Sequence, residues 1–578
     1  MSEQQEPSDQ LRMIIFIAAA LLIFVVWGRF FKPPVQAPGQ AQQAAPPAQT
    51  GPAQTASPEI MAASKAPANL EVVQAAEEKT IVVESPLYRV ELSNRGGVVR
   101  SWKLKKYFDD QKPPRPLDLV DAESSRQLGW PFSLMLGDAQ LETRANTGLY
   151  KMDVTPLAAG GAGAKPPNVP EATRFDAPSR VTFHWSDGHL GVTKKLKFGE
   201  DYDLGVETSV TLDGQPLPPA IAWRGGFGDR AVYHASSLVN IFYKVNGKLT
   251  LLQYKKLGVS GNQSQPFQQA GPMEFAGVMD QFFTATFIPD GADLSIWHWT
   301  QDHIVTVEGK PATEPEPEMA AGTAVGVPLR LRVFVGPKDL DLLARVKPPL
   351  EELVQFGWTG VIAKPLLYSL RWLHRYIPNY GWAIIVLTIV INTALFPLKM
   401  KSWRSMQKMQ KVAPEIRSIQ DRYKKYSFKD PRKRKMNEEV MAIYNREGIN
   451  PMGSCIPMLF QMPIWWALWR VLNGAIELRH APWLGWIHDL SAKDPYYILP
   501  ILMAITMYLM TKMTPQTTVD PTQQRMMTLM PLMFAVFFFS LSSGLNLYMF
   551  TSNLIGVSQQ MYLNRAQPLQ AKGKFRKK

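Results

Sequence analysis

One cysteine, Cys455, in 578 residues excludes an intramolecular disulfide framework. Acidic residues are missing from every long apolar run of the chain. That absence argues against the carboxylate relays of pumps and ion-coupled transporters. No grouping of His, Cys, Asp and Glu has metal-ligand spacing, and neither a nucleophile elbow nor a phosphate-cradling glycine loop occurs. His184, His189 and His234 are scattered and read as structural residues. Nothing here makes a case for an enzyme, a metal or a cofactor.

What is present is unevenly spread. The chain carries 63 Lys and Arg against 49 Asp and Glu, a net charge of +14, and is 46% hydrophobic. Residues 11–31, LRMIIFIAAALLIFVVWGRFF, form the first long apolar run. A cleaved signal peptide is the rival reading, but no basic n-region precedes it and no small-residue cleavage site follows before Arg29. We read 1–31 as a retained transmembrane anchor. Residues 32–79, rich in Pro, Ala and Gln, cannot bury a core and read as a flexible linker.

Between 80 and 345 the apolar period becomes two. Tyr88, Val90 and Leu92 alternate with Arg89, Glu91 and Ser93, and Val181, Phe183 and Trp185 share a face before the Asp187-Gly188 turn. This predicts a large β-sandwich domain. Residues 346–378 hold a helical stretch, KPLLYSLRWLHRYIP, with Leu366, Leu370, Leu373 and Ile377 on one face. Too short and too charged to span, it reads as an amphipathic helix in the membrane interface, because the next spanning segment starts only a few residues later; packing on the β-domain is the rival.

Further apolar segments fall at 381–399, 452–474, 496–513, 526–541 and 545–562. With 11–31 they make six expected spans. Residues 399–450 contain fifteen Lys and Arg, and the tail 566–578 is also basic, whereas 475–495 has few basic residues. The positive-inside rule then puts both termini and the 400–450 segment in the cytoplasm and the β-domain outside. Met406, Met409, Ala413, Ile416, Ile419 and Tyr423 recur at helical spacing, as do Met436, Val440, Ile443 and Tyr444. An antiparallel helical hairpin follows. Arg422, Lys424, Lys425, Arg432, Lys433, Arg434 and Lys435 lie on its basic outer surface, a candidate contact for ribosomal RNA, anionic lipid or the signal-recognition machinery. Equally, that charge could serve topology alone.

Five stretches carry a resemblance. GWTGVIAKPLLYSLRWLHRYIPNYGWAIIVLT, NPMGSCIPMLFQMPIWWAL, IELRHAPWLGWIHDLSAKDPYYILPILM and SSGLNLYMFTSNLIGVSQQ are similar to the YidC membrane protein insertases of the YidC/Oxa/Alb superfamily. LYRVELSNRGGVVRSWKLKKY resembles the start of the periplasmic domain of Gram-negative members. The resemblance implies a polytopic α-helical inner-membrane protein: a five-helix core over 379–565, a large periplasmic β-sandwich and a cytoplasmic helical hairpin. It further implies an insertase and chaperone for nascent membrane proteins, working alone or with the Sec translocon and without ATP. The core would enclose a hydrophilic groove, open to cytoplasm and lipid and closed towards the periplasm.

Polar side chains at membrane depth fit such a groove, because they persist only where they face protein or water. The candidates are Thr388, Asn392, Gln461, Trp465, Tyr548, Met549 and Asn553, with Lys399 as a charge at the groove mouth. Thr388 and Asn392 are four apart and so share a helix face. A lone Asn or Gln between membrane helices is commonly glue worth about 0.6–2 kcal/mol. Gln461 alone reads that way, but the set spans several helices and reads as a wet groove. Where the best-known relatives have an arginine, five residues before a Pro397 expected to end the helix, this chain has Asn392. Met549 stands where an aromatic is common. Two rivals from other classes remain: a solute transporter or channel, and a sugar- or lipid-binding periplasmic module on an anchor.

Overall fold

The structure is a computed structural model describing residues 70–566, except 158–172, 230–238, 254–265, 292, 308–309, 324–327, 427–429, 450–455 and 515–536. The chain divides into two units, Met1–Lys65 and Ala66–Lys578. The first lies outside the described residues, as do the expected spans at 11–31 and most of 526–541.

Three sheets build the second unit's N-terminal half. One has five strands, in the spatial order Pro116–Asp118, Val98–Phe108, Tyr88–Ser93, Thr80–Glu84 and Thr173–Asp176. The second is ten-stranded and includes Asp203–Leu212, Leu190–Phe198 and Ser179–Ser186 side by side. The third joins Phe267–Gly271, Leu294–Val307, Lys310–Gly322, Ala220–Trp223 and Ser133–Met135. Pairing is antiparallel apart from Thr80–Glu84 with Thr173–Asp176.

Alternation decides the core. Tyr88, Val90 and Leu92 are buried, as are Val181, Phe183 and Trp185. In the ten-stranded sheet, Leu196 pairs with Val181 and Val206, and Phe198 with Leu204, so one face is continuous and apolar. Both smaller sheets pack on that face. Trp102 and Tyr88 meet Phe198 at 6.4 Å, and Phe132 meets Phe287 at 6.5 Å. One lysine, Lys194, shares this face with Val192 and Leu196 and is fully buried. The chain joins the domain earlier than the linker boundary at 79 implied. Leu70 N donates to Gly188 O, and Val73 bridges Ser186.

Short helices α1 (Ala122–Leu128), α2 (Ala139–Thr147) and α3 (Leu340–Arg345) flank the sheets. Six longer ones follow: α4 (Gly360–Tyr376), α5 (Tyr380–Arg422), α6 (Pro431–Arg446), α7 (Ile456–Gly474), α8 (Ile498–Met513) and α9 (Ser543–Ala566). Among the described residues, α5 is the helix long and apolar enough to cross a membrane, and α8 is a shorter apolar helix.

Two expectations change here. Pro397 does not end its helix: α5 runs 43 residues through Pro397 and Pro414, so the apolar segment and the first hairpin arm are one rod. Proline costs a helix one N–H bond and a local kink, which neighbouring packing can offset. The Leu face of α4 is where the spacing put it, but it packs on protein and does not lie open in the membrane interface. Leu370 is buried against protein, together with Ala363 and Leu367, while Val361, Tyr368, Trp372 and Tyr376 form an exposed stripe at spacings of seven, four and four. The Leu face packs inward, and an aromatic face is left outside.

The hairpin is antiparallel. Arg422 pairs with Glu439 at 2.9 Å and Arg446 with Glu415 at 2.8 Å. Met409, Val412, Ile416 and Ile419 of α5 enclose a small core with Ile443 and Ile449.

Candidate substrate groove between α5 and α9

Asn379 caps the start of α5, its Oδ1 accepting from Gly381 N and Trp382 N. The capped helix presents Thr388, Asn392 and Lys399 at intervals of four and seven, close to one stripe. That stripe faces α9. Thr388 and Asn392 are each 1% exposed.

Asn392 is the centre of the cluster. Its Nδ2 donates to Thr388 O at 2.9 Å and to Ser552 Oγ at 3.2 Å. Its Oδ1 accepts from Lys399 Nζ at 2.8 Å. Its backbone carbonyl accepts from Gln559 Nε2 at 3.3 Å. Lys399 therefore turns back along α5 and brings its ammonium to the amide. The four-carbon stem allows this reach of about two helical turns.

Tyr548, buried on α9, lies near Ser552 and near Gln461 of α7, which brings a third helix to the cluster. Thr388 Oγ1 is returned to its own helix, donating to Ile384 O at 2.6 Å. Asn553 Nδ2 and Gln559 Oε1 are buried without a partner among the described residues. Met549 and Trp465 pack as partly buried apolar side chains, Trp465 edge-on to Trp466 at 5.3 Å, and neither makes a polar contact here. Beside the cluster lies an open recess of about 430 Å³ lined by Thr393, Phe396, Ser558, Gln559 and Tyr562. Gln559 belongs to both.

The cluster thus assembles Thr388, Asn392, Lys399, Gln461 and Tyr548. Ser552 and Gln559 complete it, and neither is among the candidates drawn from the sequence above. The signal was available: Tyr548, Ser552 and Gln559 fall at intervals of four and seven on one stripe of α9.

In the hairpin, Lys424, Lys425, Arg434 and Lys435 are exposed. Arg422 and Arg432 are exposed too but paired, with Glu439 and Asp430. Lys433 lies on α6, with its side chain outside the described residues.

Comparison with known proteins agrees from both ends of the chain. Residues 80–369 match the YidC periplasmic domain, and residues 372–571 match the 60Kd inner membrane protein family. A membrane protein insertase YidC of Wolinella succinogenes is 32% identical over 573 residues, 96% of this chain and 95% of the relative. One from Paraburkholderia xenovorans is 32% identical over 565 residues, covering 96% and 97%. An active YidC insertase crystal structure with the first transmembrane domain resolved is similar at 18% identity and a TM-score of 0.33, over 84% of this chain and 93% of that one. Relatives above 30% identity along almost the whole chain, on top of the two matched regions, place this protein in the YidC family of inner-membrane protein insertases with a periplasmic domain.

Proposed function

We propose that the insertase works through the polar cluster between α5 and α9, used as a hydrated groove that admits a polar or charged segment of a nascent membrane protein. The observation that carries this reading is the bond from Lys399 Nζ to the buried Asn392 amide. A dry seam of interhelical glue has no use for an ammonium, whereas a wet cavity accommodates one. Each charge carried to mid-bilayer costs about 3 kcal/mol on insertion scales. A polar groove shortens the hydrocarbon path and lowers that cost without ATP. Asn553 Nδ2 and Gln559 Oε1 retain hydrogen-bonding capacity for a passing segment.

In this reading the chain has six spans, with the β-domain periplasmic and the hairpin and both termini cytoplasmic. The aromatic stripe of Tyr368, Trp372 and Tyr376 lies at the outer membrane–water boundary, where amphipathic rings settle. The basic hairpin meets the ribosome, signal-recognition machinery or anionic lipid. The insertase acts as a chaperone, alone or beside the Sec translocon.

Two experiments bear on this. A photocrosslinker at position 392 is expected to capture a short nascent membrane protein during insertion, and one at the exposed Leu484 is not. Capture at neither or at both would remove the groove from the account. Topology is tested with Cys455→Ser and single cysteines at Ser427 and Ser264. The first is expected to react with impermeant reagents from the cytoplasmic side only, the second from the periplasmic side only. Labelling of both from one side would overturn the six-span arrangement.

A further inference from the structure

Glu477, Arg479 and His480 lie within four consecutive positions of the loop after α7, and each reaches a different part of the chain. Glu477 takes the guanidinium of Arg371 on α4. Arg371 also pairs with Asp341 at 2.6 Å and Asp339 at 3.2 Å, at the start of α3. His480 Nε2 lies 2.7 Å from Asp110 Oδ1, just past the Val98–Phe108 strand.

Arg479 makes the deepest contact. Its side chain is 3% exposed. Nη2 donates to Asp229 Oδ2 at 2.5 Å and to Phe108 O at 2.8 Å, and Nε donates to the same carboxylate at 3.2 Å. Its guanidinium sits 5.4 Å from the Phe283 ring centre. Asp229 is anchored in turn: its backbone N–H donates to Asp280 Oδ2 at 2.9 Å. Asp280 Oδ1 accepts from Phe282 N and Phe283 N, and Lys338 Nζ donates to Asp280 O at 2.9 Å. Both Asp280 and Lys338 are buried. The arginine of the helical half is therefore built into a polar network of the β-domain. From the other side, Gln281 Nε2 donates to Asn473 O, at the end of α7, at 2.7 Å.

The same loop also grips the external end of the helices. Trp483 lies so close to Gly381 that a Cβ there would sit 2.1 Å from its ring. Asn379 Nδ2 donates to Trp483 O at 3.1 Å, and Gly544 N to Leu490 O at 2.8 Å. The first turns of α5 and α9 are both held.

We propose that residues 477–480 are the coupling piece of the molecule, carrying the β-domain and the helical core as one rigid body, with Arg479 as its positioning residue. Exposed ion pairs hold little. A guanidinium this buried is different, because its loss removes hydrogen bonds to the Asp229 carboxylate and the Phe108 carbonyl from a site largely shielded from water. The domain then does not swing on its N-terminal linker. A segment leaving the external end of the core meets it at one fixed place.

Double electron–electron resonance on the full-length protein in lipid nanodiscs tests this. Nitroxides are attached at Lys197→Cys and Tyr496→Cys, both exposed, in a Cys455→Ser background. The parent is expected to give one narrow distance distribution. Arg479→Ala is expected to broaden it at least twofold, and Arg371→Ala with Arg479→Ala further. If Arg479→Ala fails to accumulate, Arg479→Lys decides: it keeps the positive charge but gives up the forked contact to Asp229 and Phe108 O, and a smaller broadening is expected. A parent distribution as broad as the variants', or widths unchanged by the substitutions, would overturn the coupling.

Discussion

Asn392→Leu is expected to cut insertion of a short substrate by on the order of tenfold, and Asn392→Arg is expected to fail unless Lys399 is changed with it. The magnitude follows from one lost hydrogen bond to a charged group, roughly 1.5 kcal/mol at the low end. Leucine removes the acceptor that Lys399 Nζ reaches at 2.8 Å and the donor to Ser552. The ammonium is then left in a half-buried site without its partner. Arginine at 392 would set a second cation beside Lys399, and like charges this close repel. Asn392→Arg with Lys399→Gln restores a single positive charge and is expected to insert about as well as the parent. The measurement is insertion of one substrate, with thermal stability, across the four proteins. A stable, fully active Leu variant beside an unfolded Arg/Gln double variant would mean that Asn392 is only glue in a dry core.

Lys194→Met is expected to destabilise the β-domain by about 3 kcal/mol, although methionine suits an apolar site by size. Lys194 Nζ donates to Gly96 O at 2.8 Å, Phe132 O at 2.9 Å and Gly97 O at 3.2 Å. It ties the glycine turn of one sheet and the approach to another onto the ten-stranded sheet. Methionine fills the space but leaves three buried carbonyls without a donor, at about 1 kcal/mol each. Burial also pushes the ammonium down to about 7 from an ordinary 10.5. Between those values the unfolded chain binds more protons than the folded one, so stability rises with pH above about 7. Below 7 both forms are protonated and this contribution is flat. Lys338, pushed down by burial to about 8, adds to the rise only from there upward. Urea midpoints at pH 7, 8 and 9 test this by circular dichroism. The parent should climb throughout, and Lys194→Met should stay flat until about pH 8. A parent whose midpoint does not move, or a variant of equal stability, would remove the role assigned to Lys194.

The two predictions separate what is local from what is not. Alternation at Tyr88, Val90 and Leu92 was legible because a strand's side chains have a fixed period of two. The same parity puts Lys194 between Val192 and Leu196, yet nothing local says why a cation belongs there. The answer is three carbonyls about 60 to 100 residues away in sequence. Thr388 and Asn392 were legible as a pair because a spacing of four is helical. Their partner Ser552 lies 160 residues on, and such a contact has no periodic signature.

Pro397 misled because proline's cost is local, whereas the packing that carries α5 past it is not. In α4 the Leu face was legible from its helical spacing, and only the neighbouring elements decided that protein covers it. The sequence by itself determined the periods, the lengths of the apolar segments, the place of the basic residues along the chain and the family. The tertiary structure decided that Lys399 meets Asn392, what covers the Leu face of α4 and that residues 477–480 contact both the strands and the helices. Periodicity is written along the chain. Partnership between distant side chains is set only when the chain closes on itself.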